Sequence, residues 1–120
     1  MSASLLAALA VAAVPGVASA VPHHNRGLTI NVFPNPILAG ESVVIYGQLN
    51  HAPVSGETIV LYHHIAGSHT GFTKVGQTTT GPTGTYEFSR PDGVVMTNRS
   101  WFVRDAGHPG VHSRTVNERV

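Results

Sequence analysis

Between Leu28 and Glu118 the sequence alternates short runs rich in Val, Ile, Thr, Tyr and Phe with clusters of Gly, Pro and Asn. No segment keeps the apolar spacing of about 3.6 residues that an amphipathic helix requires. Short runs bounded by turn residues are instead typical of β-strands. The pattern therefore predicts an all-β fold.

We predict seven or eight antiparallel strands that form a β-sandwich. Their expected ranges are 28–33, 42–49, 58–65, 72–80, 84–89, 94–98, 100–105 and 111–118. The breaks have physical causes, since Pro34 and Pro36 lack amide donors and Gly84 can adopt positive φ. A chain of 120 residues has room for one such domain and one core.

Alternation along the strands predicts which side chains are buried, because every second residue shares one face of a sheet. It groups five apolar residues on two inner faces: Val43, Ile45, Leu49, Tyr86 and Phe88. Trp101 is the only tryptophan and alternates with Val103. We expect Trp101 to be the largest side chain of the core.

Residues 1–20 have the pattern of a secretory signal peptide. An apolar run over residues 4–14 is broken by Pro15, and Ala20 ends a stretch of small residues. This predicts cleavage after Ala20 and a secreted, extracellular chain. The apolar run is shorter than the ~20 residues that span a bilayer, so no stable membrane anchor is expected after processing. Residues 21–27 are predicted to be a flexible N-terminal segment, and residues 28–120 the folded domain.

Composition argues against several classes of function. The chain has no cysteine, which rules out a disulfide, a thiolate metal site and a thiol nucleophile. Its formal net charge of +1 lacks the basic excess typical of nucleic-acid binding. We therefore expect no nucleic-acid partner.

Catalytic motifs are also missing. The sequence has no Gly-x-Ser-x-Gly elbow, and its acidic residues occur singly: Glu41, Glu57, Glu87, Asp92, Asp105 and Glu118. The Tyr-Arg-Gly-Ser signature of small transthyretin-like hydrolases is absent from the last residues, 116–120. The sequence predicts no enzymatic activity and no cofactor.

Histidine is the unusual element of the composition. The eight histidines are His23, His24, His51, His63, His64, His69, His108 and His112. His63 and His64 should point to opposite faces of a strand and so cannot chelate one ion together. His63 with His69, and His108 with His112, are the pairs that a turn could bring together. No spacing matches a known zinc or copper pattern, so we predict no metal ligands.

Three segments carry a resemblance to a known family. They are 37–49 (ILAGESVVIYGQL), 53–62 (PVSGETIVLY) and 80–88 (TGPTGTYEF). These segments resemble bacterial immunoglobulin-like domains of secreted and surface proteins. The resemblance implies an immunoglobulin-like β-sandwich over residues 28–120, serving as a stalk, spacer, adhesin module or accessory domain. The chain lacks a Leu-Pro-x-Thr-Gly sorting motif, so a freely secreted domain is expected.

The leading hypothesis is a secreted, non-catalytic domain with a binding or structural role at or beyond the bacterial cell surface. Two Gly-rich loops, 66–72 and 106–110, are the candidate binding loops because such folds place binding residues at the ends of the sandwich. The candidate residues in and beside these loops are His69, Phe72, His108 and His112. The expected partner is a protein or a cell-surface glycan.

Two alternatives remain, a polysaccharide-binding module and a histidine-mediated metal-binding protein. A polysaccharide site would need a coplanar row of exposed rings, which only Tyr46, Tyr62, Phe72 and Phe102 can supply. Four arginines could either form a basic stripe that binds an anionic glycan or keep edge strands from pairing with other chains. They are Arg90, Arg99, Arg104 and Arg114. An unpaired edge strand at 111–118 also predicts self-association.

Overall fold

The computed structural model of the chain describes residues 24–120. In this range it contains eight β-strands and no helix, and hence no helix that could cross a membrane. The strands are β1 (Asn31–Phe33), β2 (Val43–Gln48), β3 (Thr58–Ile65), β4 (Thr73–Thr79), β5 (Thr85–Arg90), β6 (Arg99–Asp105), β7 (His108–His112) and β8 (Val116–Glu118). The predicted all-β fold is confirmed. The predicted signal peptide lies outside the described residues.

The strands form two antiparallel sheets. One has the order β1-β2-β5, and the other has the order β4-β3-β6-β7, with β8 also paired to β6. β7 and β8 bind the same edge of β6 at its two ends, since Asp105 pairs with His108 and Arg99 pairs with Glu118. The core lies between the sheets and draws side chains from both.

Most predicted strands are found within two or three residues of their expected ends, and 58–65 matches β3. The strand predicted at 94–98 is wrong. Gly93 has a positive φ of 86°, and the carbonyl of Val95 accepts a hydrogen bond from the amide of Gly40. This segment therefore bonds to the loop between β1 and β2 instead of joining a sheet ladder.

The predicted strand at 111–118 is divided into β7 and β8. The register shifts between Arg104 and Asp105 of β6, and Ser113 bonds to Val103 through both its amide and its hydroxyl. These bonds hold residues 113–115 beside β6 without a regular ladder. The first predicted strand is likewise shorter, with Leu28 making only an isolated bridge to Leu49.

The predicted core is confirmed. Val43, Ile45, Leu49, Tyr86 and Phe88 are all buried, and Trp101 is the largest side chain that is fully buried. The hydroxyl of Tyr86 donates a hydrogen bond of 2.6 Å to the carbonyl of Thr29. A Cβ at Gly47 would collide with that same carbonyl. Glycine at this position of the 37–49 segment thus lets the first segment of the domain cross close to β2.

The outer edge formed by β7 and β8 is covered by the chain itself. Asn35 donates from its amide to the carbonyl of Asn117 (2.8 Å) and accepts from the amide of Arg119 (3.0 Å). Arg26 and His112 exchange two backbone hydrogen bonds, of 2.6 and 3.0 Å. This edge, which we expected to be free for self-association, therefore has part of its hydrogen-bonding capacity occupied.

Candidate functional site

The outer face of the five-stranded sheet carries a cluster of aromatic side chains. Trp101 and Val103 of β6 point into the core, so alternation directs Phe102 and Arg104 to the outer face. On the neighbouring strand, Tyr62 pairs directly with Phe102. Sheet register therefore brings side chains that are 40 positions apart in the sequence into contact.

The rings pack tightly against one another. Tyr62 and Phe102 are stacked, with centroids 4.8 Å apart and planes inclined by 9°. Phe72 meets Phe102 edge-on at 4.9 Å, and the His64 ring lies 5.8 Å from Phe72. We call the set Tyr62, His64, Phe72, Phe102 and Arg104 the aromatic face. Phe102 is buried beneath its neighbours, whereas Tyr62, His64 and Phe72 are half-buried.

Arg104 makes this face cationic. Its guanidinium carbon lies 5.5 Å from the ring centroid of Tyr62 and 5.3 Å from that of Phe102, within the range of cation–π attraction. Lys74 is the strand partner of Tyr62. Among residues 24–120 the ion pairs found all involve His108. Arg104 and Lys74 therefore have no carboxylate partner within the described part of the chain.

The four arginines considered from the sequence do not form one stripe. Arg99 is buried on the inner side, with its guanidinium 5.7 Å from the Trp101 ring centroid. Arg90 donates to the carbonyl of Val75, and Arg114 donates to that of Ile30. Only Arg104 belongs to the aromatic face, because residues 99 and 104 lie on opposite faces of β6.

The aromatic residues also do not form a coplanar row. Tyr46 belongs to β2 in the other sheet. Tyr62 and Phe102 stack on each other, and Phe72 stands nearly perpendicular to Phe102, at 81°. A flat platform for consecutive sugar rings is therefore not present in these four residues.

The predicted loop residues lie at opposite ends of the domain. His69 is exposed in the loop after β3, and Phe72 ends the same loop on the aromatic face. His108 and His112 belong to β7, near the start of β3. The four residues consequently do not form one site. His63, which we considered as a partner for His69, instead packs its ring 5.8 Å from that of Trp101.

Sequence reasoning missed the grouping of Glu57, Asp105 and His108. Ile59 pairs with Asp105 across β3 and β6, which brings Glu57 to the same end of the sheet. His108 Nδ1 lies 3.4 Å from Glu57 Oε1 and 3.3 Å from Asp105 Oδ2. The two acids look isolated in the sequence because their proximity depends on strand pairing.

A buried carboxylate lies near the opposite end of β6. Within residues 24–120, neither oxygen of Glu118 meets hydrogen-bond geometry with any group, and the same is true of the nearby indole nitrogen of Trp101. Burial raises the pKa of Glu118 to about 7, although the proximity of the Trp101 N–H and the positive charge of Arg99 both act to lower it. A pocket of about 190 Å³, partly lined by Arg99, Asn117 and Glu118, adjoins this group.

Comparison with known proteins gives no relative for this chain. No family model, curated protein or solved structure matches it.

Proposed function

We propose that this chain is an exported, non-catalytic immunoglobulin-like domain of a bacterial cell surface or its surroundings. In this proposal the aromatic face binds an acidic surface of a partner protein. The observation that carries the binding role is the position of the Arg104 guanidinium against the rings of Tyr62 and Phe102. Export is supported by the pattern of residues 1–20.

The strand order supports the immunoglobulin-like part of the proposal. β1, β2 and β5 correspond to strands A, B and E of that fold, while β3, β6 and the β7–β8 pair correspond to C, F and G. β4 joins the edge of β3, in the place of the extra strand C′ of variable-type domains. The aromatic face then lies on the C′-C-F-G sheet.

The chemistry of the aromatic face favours a protein partner. Aromatic residues and Arg are enriched at protein interfaces, and Tyr and Arg are frequent where binding energy is concentrated. Rings that already pack against Arg104 restrict its motion, which lowers the entropy lost when it pairs with a carboxylate. Arg104 and Lys74 lack acidic partners within residues 24–120, so an acidic partner would complement the face in charge.

Photo-crosslinking in the native host tests this proposal. A photo-reactive amino acid replaces Lys74 beside the aromatic face or, as the matched control, Glu87 on the other sheet. Both positions are exposed. We expect a protease-sensitive adduct from position 74 and none from position 87. Equal adducts from the two positions, or an adduct removed only by glycosidases, would contradict a protein partner at this face.

The partner identified in this way is then measured against purified variants. Arg104→Ala should raise its Kd by roughly tenfold or more, as expected for a central interface arginine. The affinity of the wild-type chain should also fall as salt is added, because charge pairing contributes to binding. An unchanged Kd for Arg104→Ala, with the fold intact by circular dichroism, would exclude this face as the binding surface.

A further inference from the structure

Three acidic or imidazole side chains converge where β6 turns into β7. Glu57 lies just before β3, Asp105 is the last residue of β6, and His108 is the first residue of β7. One potential ligand atom from each lies within 4.8 Å of the other two. This end cluster is separate from the aromatic face, since it sits at the end of the sheet and not on its outer surface.

The spacing of the atoms suits a shared cation better than a hydrogen bond. His108 Nδ1 is 3.3 Å from Asp105 Oδ2 and 3.4 Å from Glu57 Oε1. A charge-assisted N–H···O bond is usually about 2.7–2.9 Å long. By contrast, two ligands that each lie ~2.1 Å from one tetrahedral zinc ion are about 3.4 Å apart. The two separations from His108 match those of ligands around one ion, although His108 and Asp105 are also within hydrogen-bonding distance. The ligand atoms of Glu57 and Asp105 lie within 4.8 Å of each other.

The negative charge of this partly buried cluster is unfavourable unless positive charge lies close to it. Asp105 is fully buried, and a buried carboxylate is costly unless its charge is paired. Within residues 24–120 neither Asp105 nor Glu57 forms an ion pair with a lysine or arginine. One imidazole therefore faces two carboxylates. A divalent cation bound among the three side chains would balance both carboxylate charges.

The neighbouring groups prepare the cluster for a ligand. The amide of Gly107 donates a hydrogen bond of 3.0 Å to Asp105 Oδ1. This bond orients the carboxylate so that its other oxygen, Oδ2, lies beside His108. A hydrogen bond of this kind orients a metal-binding carboxylate. The side chain of His108 is 42% exposed, so an ion can enter from solvent. A second imidazole, His51, has its ring centroid 5.4 Å from that of His108.

We propose that Glu57, Asp105 and His108 form a binding site for a divalent cation of the zinc class. Nitrogen and carboxylate ligands together favour zinc, whereas calcium binds to oxygen ligands alone. The bound ion links the loop before β3 to the turn between β6 and β7. It stabilises this end of the domain, independently of any partner at the aromatic face.

Isothermal titration of the purified, tag-free chain with zinc chloride and calcium chloride tests the site. We expect one zinc ion per chain with a Kd of about 10 μM or tighter, and much weaker calcium binding. A hundredfold excess over that Kd should raise the thermal midpoint by about 5 °C or more. Absence of zinc binding at millimolar metal, or a preference for calcium, would overturn the proposal.

Variants separate this site from adventitious binding by surface histidines. His108→Ala should abolish tight zinc binding, while Glu57→Gln should raise the Kd at least about tenfold. His69→Ala, at the other end of the domain, should leave the Kd unchanged. The metal-free spectra of all three variants should match the wild type. Zinc binding that survives in His108→Ala, or that is lost equally in His69→Ala, would show that the cluster is not the site.

Discussion

Glu118 is a carboxyl group placed where ionisation is unfavourable. It is 1% exposed, and burial raises its pKa to about 7 from an ordinary value of 4.5. The folded chain therefore holds this proton more tightly than the unfolded chain between about pH 4.5 and 7. By linkage, the contribution of Glu118 to stability falls as pH rises through this window and is constant above it.

Nearby His63 has the opposite effect. Burial lowers its pKa below 6.5, and the charges of Arg99, Arg90 and His64 lower it further. The unfolded chain then binds the His63 proton more strongly, so this group increases stability as pH rises towards 6.5. The pH dependence of the wild type is a sum of both effects, and a variant is needed to separate them.

Glu118→Gln isolates the carboxyl contribution. The free energy of unfolding, measured with urea at several pH values, should fall in the wild type relative to the variant from pH 5 to 7. Above pH 7 the difference between the two proteins should level off. Glutamine keeps the shape of the side chain and removes its ionisation. Parallel curves for the two proteins over the whole range would show that Glu118 does not carry the raised pKa.

At the scale of elements, the Asn35 side chain occupies hydrogen-bonding groups along the outer edge of β8. The Asn35 side chain occupies the carbonyl of Asn117 and the amide of Arg119. A strand edge whose backbone groups are already bonded is a poor template for another chain. We therefore expect self-association through β8 to require removal of this cover.

Asn35→Ala should release the Asn117 carbonyl of β8 and the Arg119 amide just beyond this strand. The variant should lose about 1–3 kcal/mol of unfolding free energy, at roughly 0.5–1.5 kcal/mol for each hydrogen bond. It should also form dimers at concentrations at which the wild type is monomeric, as measured by size-exclusion chromatography with light scattering. Asn50→Ala is the control, because that side chain makes no hydrogen bond within residues 24–120. A monomeric Asn35→Ala chain would contradict the role of Asn35 as an edge cover.

At the scale of the whole molecule, the local sequence predicted the positions of strands better than it predicted the contacts between distant segments. The range of β3 followed from its β-branched and aromatic run after Gly56, and the burial of Trp101 followed from alternation. Residues 94–98 have a similar composition, but their backbone bonds to the loop between β1 and β2. Strand propensity cannot predict such a contact between distant segments. The convergence of Glu57 and Asp105 depends on the register of β3 against β6. Pairings between distant segments of this kind require the three-dimensional structure.

The proposed export of the chain has a direct test. Intact-mass analysis of the native host's culture should find a species that begins at Val21 in the medium, because cleavage is predicted after Ala20. The same species retained in the envelope but released by salt would indicate a noncovalent partner there. A full-length species in the cytoplasm would contradict export.

The two ends of the described chain lie at different ends of the domain. Arg26 bonds to His112 near the end cluster, whereas the amide of Val120 bonds to Asn98 beside the start of β6. A reporter fused after Val120 would project away from His51 and His108, leaving those imidazoles open to solvent. An affinity tag joined ahead of residue 24 would emerge near Gly27, which lies close to the His51 side chain. C-terminal labelling is therefore the attachment that leaves this end of the domain clear for assays.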